Sequence, residues 1–167
     1  WYFFTYPILL ITGSVTSASF ISLIIIYILG LFGLLFIGKI EKFSKAQILF
    51  FFVAFFGNAI TLGNYIRLGR VTAIFAFVLG IWLTYYMIKY KNRKLDAKFL
   101  IIIPIYALLI ITHYQEAILF SFLLLCLFMV KTWKEKFIIV LSFLGSLILD
   151  SFWIFPFIKQ FFITRIS

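Results

Sequence analysis

The fold is decided by the stretch IIIPIYALLIITHYQEAILFSFLLLCLF, residues 101–128, in which two long apolar runs flank the short polar segment 113–116. A second stretch, FIIVLSFLGSLILDSFWIFPFI (137–158), is as apolar and encloses a single aspartate. Runs of this kind are typical of helices that cross a lipid bilayer. Ionisable groups at that depth are costly and usually face a protein interior or a water-filled cavity. The function is therefore expected to depend on these few polar residues.

Composition places the whole chain in the membrane class. Of its 167 residues, 65% are hydrophobic and only 12% are charged, whereas about 25% of the residues of a soluble domain are charged. We therefore predict an all-α, polytopic helical membrane protein. No repeat or linker divides the chain, so residues 1–167 are expected to form one transmembrane domain. Because it begins with Trp1 in apolar sequence, we expect it to be part of a longer protein.

The basic residues are concentrated in three short segments. The net charge is +10, and of the 15 Lys and Arg residues three lie in 39–45, five in 89–98 and three in 131–136. This clustering argues against nucleic acid as a partner, since basic residues concentrate in the cytoplasmic loops of membrane proteins. The sequence thus predicts a multi-pass protein, in the plasma membrane, with these three segments in the cytoplasm.

Alternating the sides of successive loops gives five or six spans. The predicted segments are an outer or re-entrant piece at 1–11 and spans at 19–38, 46–62, 71–88, 99–112, 117–130 and 137–158. Outer turns or loops are expected at 12–17 and 63–70. Because some spans are shorter than the roughly 20 residues that a crossing helix needs, we expect His113 to Glu116 to continue their helices inside the membrane.

Polar residues of several segments are predicted to lie at one depth. At about 1.5 Å per residue, Asp150 lies about 21 Å from the level of Lys136, in a core of about 30 Å. The same count from the nearest basic residue places three more side chains at about 20–22 Å: Asn58, His113 and Glu116. These four residues are called the polar layer. Arg67 and Arg70 are expected just above it, at the outer rim.

This arrangement is typical of a cavity open to the outer side. The planar guanidinium of an arginine suits phosphate, and a carboxylate beside an imidazole can act as general base and orienting group. Structural alternatives stay open for each residue. Asp150 could pair with a cation and fix packing, His113 and Glu116 could cap a helix, and the arginines could reach lipid phosphates. The lone Cys126 forms no disulfide or cysteine-based metal site within the chain.

Four stretches, in order, resemble a known family. They are YPILL (6–10), GNYIRLGRVTAIFAFVLGIW (63–82), IITHYQEAILFSFLLL (110–125) and SFWIFPFI (151–158). Together they resemble the membrane domain of GT-C type glycosyltransferases. The strongest likeness is to the multi-spanning group called 6-pyruvoyl-tetrahydropterin synthase-related. The likeness extends in order over nearly the whole chain, although each stretch is a short pattern in hydrophobic sequence.

The resemblance implies a GT-C-like helical core and an outward-facing transferase. Such an enzyme moves a sugar from a polyprenyl-phosphate donor to a glycan, lipid or protein. The matched positions include Gly69, Trp153 and Pro156. Arg70, with Arg67 and Tyr65, would bind the lipid phosphate, and His113 would lie on the acceptor side. The family's catalytic acidic residue is expected upstream of Trp1, so Asp150 is not given that role. No metal ligand is assigned, and a divalent metal cofactor is left open.

Two other functions compete with the transferase. Intramembrane Asp, His and Glu also occur in proton-coupled transporters, although the two related halves typical of such proteins are absent from this sequence. A non-catalytic membrane scaffold, serving as a subunit of a larger complex, is the other alternative.

Overall fold

Helices account for all regular secondary structure in the part of the chain that the structure, a computed structural model, describes: residues 2–58 and 71–166. In chain order they are α1 (Tyr2–Thr12), α2 (Val15–Glu41), α3 (Lys45–Phe56), α4 (Val71–Lys91), α5 (Ile102–Thr112), α6 (Tyr114–Val130), α7 (Trp133–Leu149) and α8 (Ser151–Ile166). A 3₁₀ helix, Ala97–Ile101, leads directly into α5. The predicted all-α class is confirmed.

Within residues 2–58 and 71–166, two helices are long and apolar enough to cross a membrane, namely α2 and α4 over Thr72–Lys91. A third crossing is added if α7 and the first part of α8, which are bent by 60° at their junction, count as one span. The remaining apolar helices α3, α5 and α6 are shorter than 18 residues. Length and composition thus support a membrane protein with two or three spanning helices. The count of five or six spans stays a prediction.

The surface of the bundle is apolar on several helices. Phe50 of α3, Ile118 and Met129 of α6 and Phe152 of α8 are each 62–69% exposed. A soluble monomer rarely exposes contiguous apolar area on this scale, whereas lipid is a favourable solvent for it. The exposed side chains therefore agree with the membrane class read from composition.

The central helix of the bundle is α4, which packs against α2, α5 and α6. Its contacts with α2 advance together along both helices: Gly30 lies beside Val78, Gly33 beside Ile81, and the rings of Phe36 and Tyr85 are 5.5 Å apart. The two helices therefore run parallel. This direction agrees with the predicted topology, in which the segment between them crosses back.

The contacts of α4 with α6 advance in the same way. Gly80 lies against Phe120, and Lys91 at the end of α4 lies near Val130 at the end of α6. Helices α2, α4 and α6 thus share one direction. Their C-terminal ends carry the basic segments 39–45, 89–98 and 131–136, which therefore lie at one end of the bundle. We call this the basic end.

Several predicted boundaries are wrong in detail. Helix α3 stops at Phe56 rather than at residue 62, and the turn expected over 12–17 is reduced to Gly13 and Ser14. Gly13 ends α1 with a left-handed φ of +64°, and the Ser14 hydroxyl caps α2 by accepting the Ser17 N–H. The segment predicted as one span over 137–158 is two helices, broken at Asp150.

Candidate functional site

His113 alone joins α5 to α6. Its backbone is extended, with φ −161° and ψ 97°. Its N–H donates to the carbonyl of Leu109 (2.9 Å), and its carbonyl accepts the N–H of Ala117 (3.1 Å). One residue thus satisfies groups at the end of one helix and the start of the next. The expectation that 113–116 continue the helices is confirmed for Tyr114, Gln115 and Glu116, which begin α6, and is wrong for His113 alone, where the chain leaves α5.

The side chains of His113 and Glu116 nevertheless meet. Nδ1 of His113 contacts Oε2 of Glu116, and the two side chains are 23% and 16% exposed. Because His113 precedes α6, the two residues do not lie on one helix face. The pair joins the residue that precedes α6 to the third residue of α6, the spacing of a capping interaction. A carboxylate in the first turn is also favoured by the helix dipole. The structure thus places a partly exposed imidazole–carboxylate pair at the α5–α6 turn.

A cavity of about 430 Å³ lies beside this turn. It is lined by Thr72 of α4, by residues 110–115 and by Trp153 of α8. Hydroxyl, imidazole, amide and indole groups therefore line one space with the apolar Ile110 and Ile111. The cavity lies where α4 begins and α5 ends, which is the end of the bundle opposite the basic end. It unites His113 with Trp153, two residues that are 40 positions apart.

Asp150 occupies the break between α7 and α8. Its carbonyl accepts the N–H groups of Trp153 and Ile154 (both 2.9 Å) and so starts α8, while its own N–H still donates to Ser146 (3.1 Å). The residue is 1% exposed, and neither carboxylate oxygen has a hydrogen-bond partner among the described residues. Asp150 is not among the residues that line the cavity, although Trp153, one turn further on, is.

The cause of the break is local. Ser142 and Ser146 both donate their hydroxyls to carbonyls one turn earlier in α7, at 2.8 and 3.0 Å. The Ser146 hydroxyl also lies 3.0 Å from the carbonyl of Ile103 in α5. Back-bonding of this kind bends helices, and aspartate favours helix ends over helix interiors.

The polar layer is only partly assembled. The amide of Asn58 turns back on its own chain and donates to the carbonyls of Ala54 (2.7 Å) and Phe55 (3.0 Å). Asn58 is therefore occupied with ending α3 and does not line the cavity. Three predicted phosphate-binding residues, Tyr65, Arg67 and Arg70, lie outside the described residues. Thr72, which lines the cavity, follows Arg70 by two positions.

At the basic end, two loops are tied together by polar contacts. The Lys131 ammonium donates to the carbonyl of Arg93, and the Leu95 N–H donates to Glu135 (3.1 Å). The Tyr90 hydroxyl donates to Asp96, which also accepts the N–H of Lys98. These hydrogen bonds hold the pKa of Asp96 below its ordinary value, and the bond from Tyr90 has the largest effect. The segments 89–98 and 131–136 thus form one ordered, positively charged surface.

Sequence reasoning missed part of the cavity wall. Thr72 and Gln115 lie inside stretches that resemble the family but were not singled out as site residues, because each looks like an ordinary polar residue near a helix start. Only the packing of α4 against α6 brings them together. In residues 2–58 and 71–166, no group of three His, Cys, Asp or Glu side chains is close enough to hold a metal ion.

Comparison of the chain with protein families, curated proteins and solved structures finds no match. Function is therefore argued from the described geometry and the resemblance alone.

Proposed function

We propose that this chain is the membrane core of a GT-C type glycosyltransferase that uses a polyprenyl-phosphate-linked sugar donor. The observation that carries the proposal is the cavity that unites His113, Trp153 and Thr72. All three residues lie in stretches that resemble the family, and Thr72 follows Arg70 by two positions. The acceptor would be a glycan, lipid or protein on the outer face.

Residues of this chain would then have distinct tasks. Arg70, helped by Arg67 and Tyr65, binds the donor phosphate, because a guanidinium can offer two parallel N–H donors to phosphate oxygens. The imidazole of His113, oriented by the Glu116 carboxylate, lies where an acceptor hydroxyl could donate a proton to it. The family's acidic catalytic residue is expected upstream of Trp1, so no step is assigned to Asp150.

The proposed topology follows from the two ends of the bundle. The basic end faces the cytoplasm of the plasma membrane, in keeping with the distribution of basic residues in membrane proteins. The cavity then opens on the outer side. In this arrangement α3, α5 and α6 also cross the bilayer, which gives the GT-C-like core of five or six spans. Short helices can do so by local thinning of the bilayer or by oligomerising.

The test is transfer by membranes that contain the full-length protein. Radiolabelled polyprenyl-phosphate mannose and polyprenyl-phosphate glucose serve as donors, and label in glycan, lipid and protein fractions is counted. Arg70→Ala is expected to reduce transfer about 10- to 100-fold, the equivalent of a lost charge-assisted hydrogen bond of about 1.5–3 kcal/mol. Lys45→Ala, which removes the same charge at the basic end, is the matched control. Wild-type transfer by a folded Arg70→Ala protein would rule out Arg70 as the donor contact.

A proton-coupled transporter is the second candidate, and Asp150 favours it. A buried carboxylate whose oxygens lack partners among the described residues, at a 60° helix break, fits the discontinuous helices and proton-carrying acids of transporters. Uptake of radiolabelled sugars and amino acids into proteoliposomes, driven by a pH gradient, tests this candidate. Uptake that disappears in Asp150→Asn would favour it over the transferase. A protein with neither activity that co-purifies with a stoichiometric membrane partner would be a scaffold.

A further inference from the structure

An apolar groove lies between α4 and α6 at the basic end. Its volume is about 280 Å³. Its lining is apolar except for one lysine and comprises Met87, Ile88, Leu123, Cys126, Leu127, Val130 and Lys91. Lys91 is the last residue of α4, so the positive charge lies at one end of the groove and the apolar side chains extend away from it. The groove thus has a charged end and an apolar body.

The positive charge of Lys91, at the end of the groove, is not neutralised by an ion pair among the described residues. The two ion pairs of residues 2–58 and 71–166 join His113 to Glu116 and Lys131 to Glu135, and neither involves Lys91 or Arg93. Both of these residues are exposed. Lys131, by contrast, is held by Glu135 at 3.6 Å and by the carbonyl of Arg93. Lys91 is therefore the cation in the groove lining that can bind a ligand.

The length of the groove along α6 matches the distance between the headgroup level and the upper acyl chains of a lipid. Cys126 precedes Lys131 by five residues, about 7.5 Å along a helix. If the basic end lies at the membrane surface, the charged end of the groove is at headgroup level and its apolar body is in the hydrocarbon. Basic pockets between transmembrane helices bind the headgroups of anionic lipids in this way.

We propose that this groove binds one acidic phospholipid. Its phosphate is held by Lys91, and its acyl chain lies along the apolar wall beside Cys126. The charge complementarity decides the occupant, because a zwitterionic lipid would bring its own cation towards Lys91. The site is distinct from the cavity at His113, which is at the other end of the bundle. The proposal does not depend on the transferase activity.

The first experiment counts lipid adducts on the detergent-solubilised full-length protein by native mass spectrometry. Phosphatidylglycerol and phosphatidylcholine with identical acyl chains are the probes. We expect the first phosphatidylglycerol molecule to bind more tightly than phosphatidylcholine. Lys91→Ala should weaken it about fivefold, since one juxtamembrane cation contributes about 1 kcal/mol. Lys45→Ala, which removes an equally exposed lysine from α3 at the same end, should leave that first site unchanged.

A second variant tests the apolar body without changing charge. Cys126→Phe fills the groove and should remove the preference for phosphatidylglycerol, while far-UV circular dichroism and gel filtration report whether the protein still folds. The thiol of Cys126, the single cysteine of residues 1–167, offers an independent measurement in a full-length protein in which any cysteine outside these residues is replaced by serine. Its reaction with an apolar disulfide reagent should be several-fold slower in phosphatidylglycerol nanodiscs than in phosphatidylcholine nanodiscs. Lys91→Ala should abolish that protection, and Lys45→Ala should keep it.

Two outcomes would overturn the proposal. Equal loss of binding in Lys91→Ala and Lys45→Ala would mean that the basic end attracts anionic lipid as a diffuse charge. Unchanged phosphatidylglycerol preference in both Lys91→Ala and Cys126→Phe would place the lipid elsewhere.

Discussion

The close approach of α4 and α6 at Gly80 gives the sharpest prediction. A Cβ added at Gly80 would lie 2.0 Å from the ring of Phe120, whereas ordinary contact begins at 3.4 Å. The ring would therefore have to retreat by the difference between these two distances. Gly145 in α7 is the matched control, because a Cβ there would meet its nearest neighbour, the Ile103 side chain, at 3.4 Å. The same substitution thus meets a blocked site in one helix and an open one in another.

The two substitutions are expected to change the free energy of unfolding in opposite directions. Overpacking costs about 1–3 kcal/mol, and replacing a helical glycine by alanine gains roughly 0.5–1 kcal/mol. Gly80→Ala should therefore lower the free energy of unfolding by about 1 kcal/mol, the balance of the two terms. Gly145→Ala should raise it by roughly 0.5–1 kcal/mol, because only the helix term applies.

The assay is equilibrium unfolding in mixed micelles, with increasing dodecyl sulfate and helicity followed by circular dichroism. A double-mutant cycle with Phe120→Ala isolates the contact. Once the ring is removed, Gly80→Ala should become stabilising, like Gly145→Ala. A stabilising Gly80→Ala in the wild-type background, or a cost that persists beside Phe120→Ala, would refute the packing of α4 against α6.

Two further predictions concern the basic end. Asp96→Asn should make stability less sensitive to pH below about pH 4. The Tyr90 hydrogen bond favours the carboxylate and lowers the pKa of Asp96 in the fold, so its contribution is present above about pH 4 and is lost as the pH falls through the folded pKa. Thermal unfolding followed over this range measures it, and an identical pH profile for the two proteins would contradict it. Ser44→Ala should cost about 1 kcal/mol, because the Ser44 hydroxyl accepts the Gln47 N–H and the Ser44 N–H donates to the Gln47 side chain. Dodecyl sulfate unfolding tests this, and a cost near zero would mean that α3 begins independently of its cap.

The helical class could be read from composition, because lipid-facing sequence must be apolar along its whole length and must satisfy its backbone within helices. The position of the three basic segments at one end of the bundle could also be predicted, because burying a lysine at bilayer depth is costly. The direction of α2 and α4 agrees with that prediction, and so does the position of His113 at the opposite end from Lys91. What could not be read is where a helix breaks. The sequence around Asp150 is as apolar as a continuous span, and its hydropathy does not register the serine back-bonds that precede the bend.

By itself, the sequence determined that this protein belongs to the membrane class. Hydropathy is a sum over residues, so it needs no tertiary contact, and it also limited the candidate site to a few ionisable positions. Only the tertiary structure decided which of these positions meet. His113 and Trp153 line one cavity because α5 and α7 pack together and α8 turns away at Asp150. Asn58 is diverted to the end of its own helix. Such pairings depend on helix ends and crossing directions, which hydrophobic periodicity does not encode.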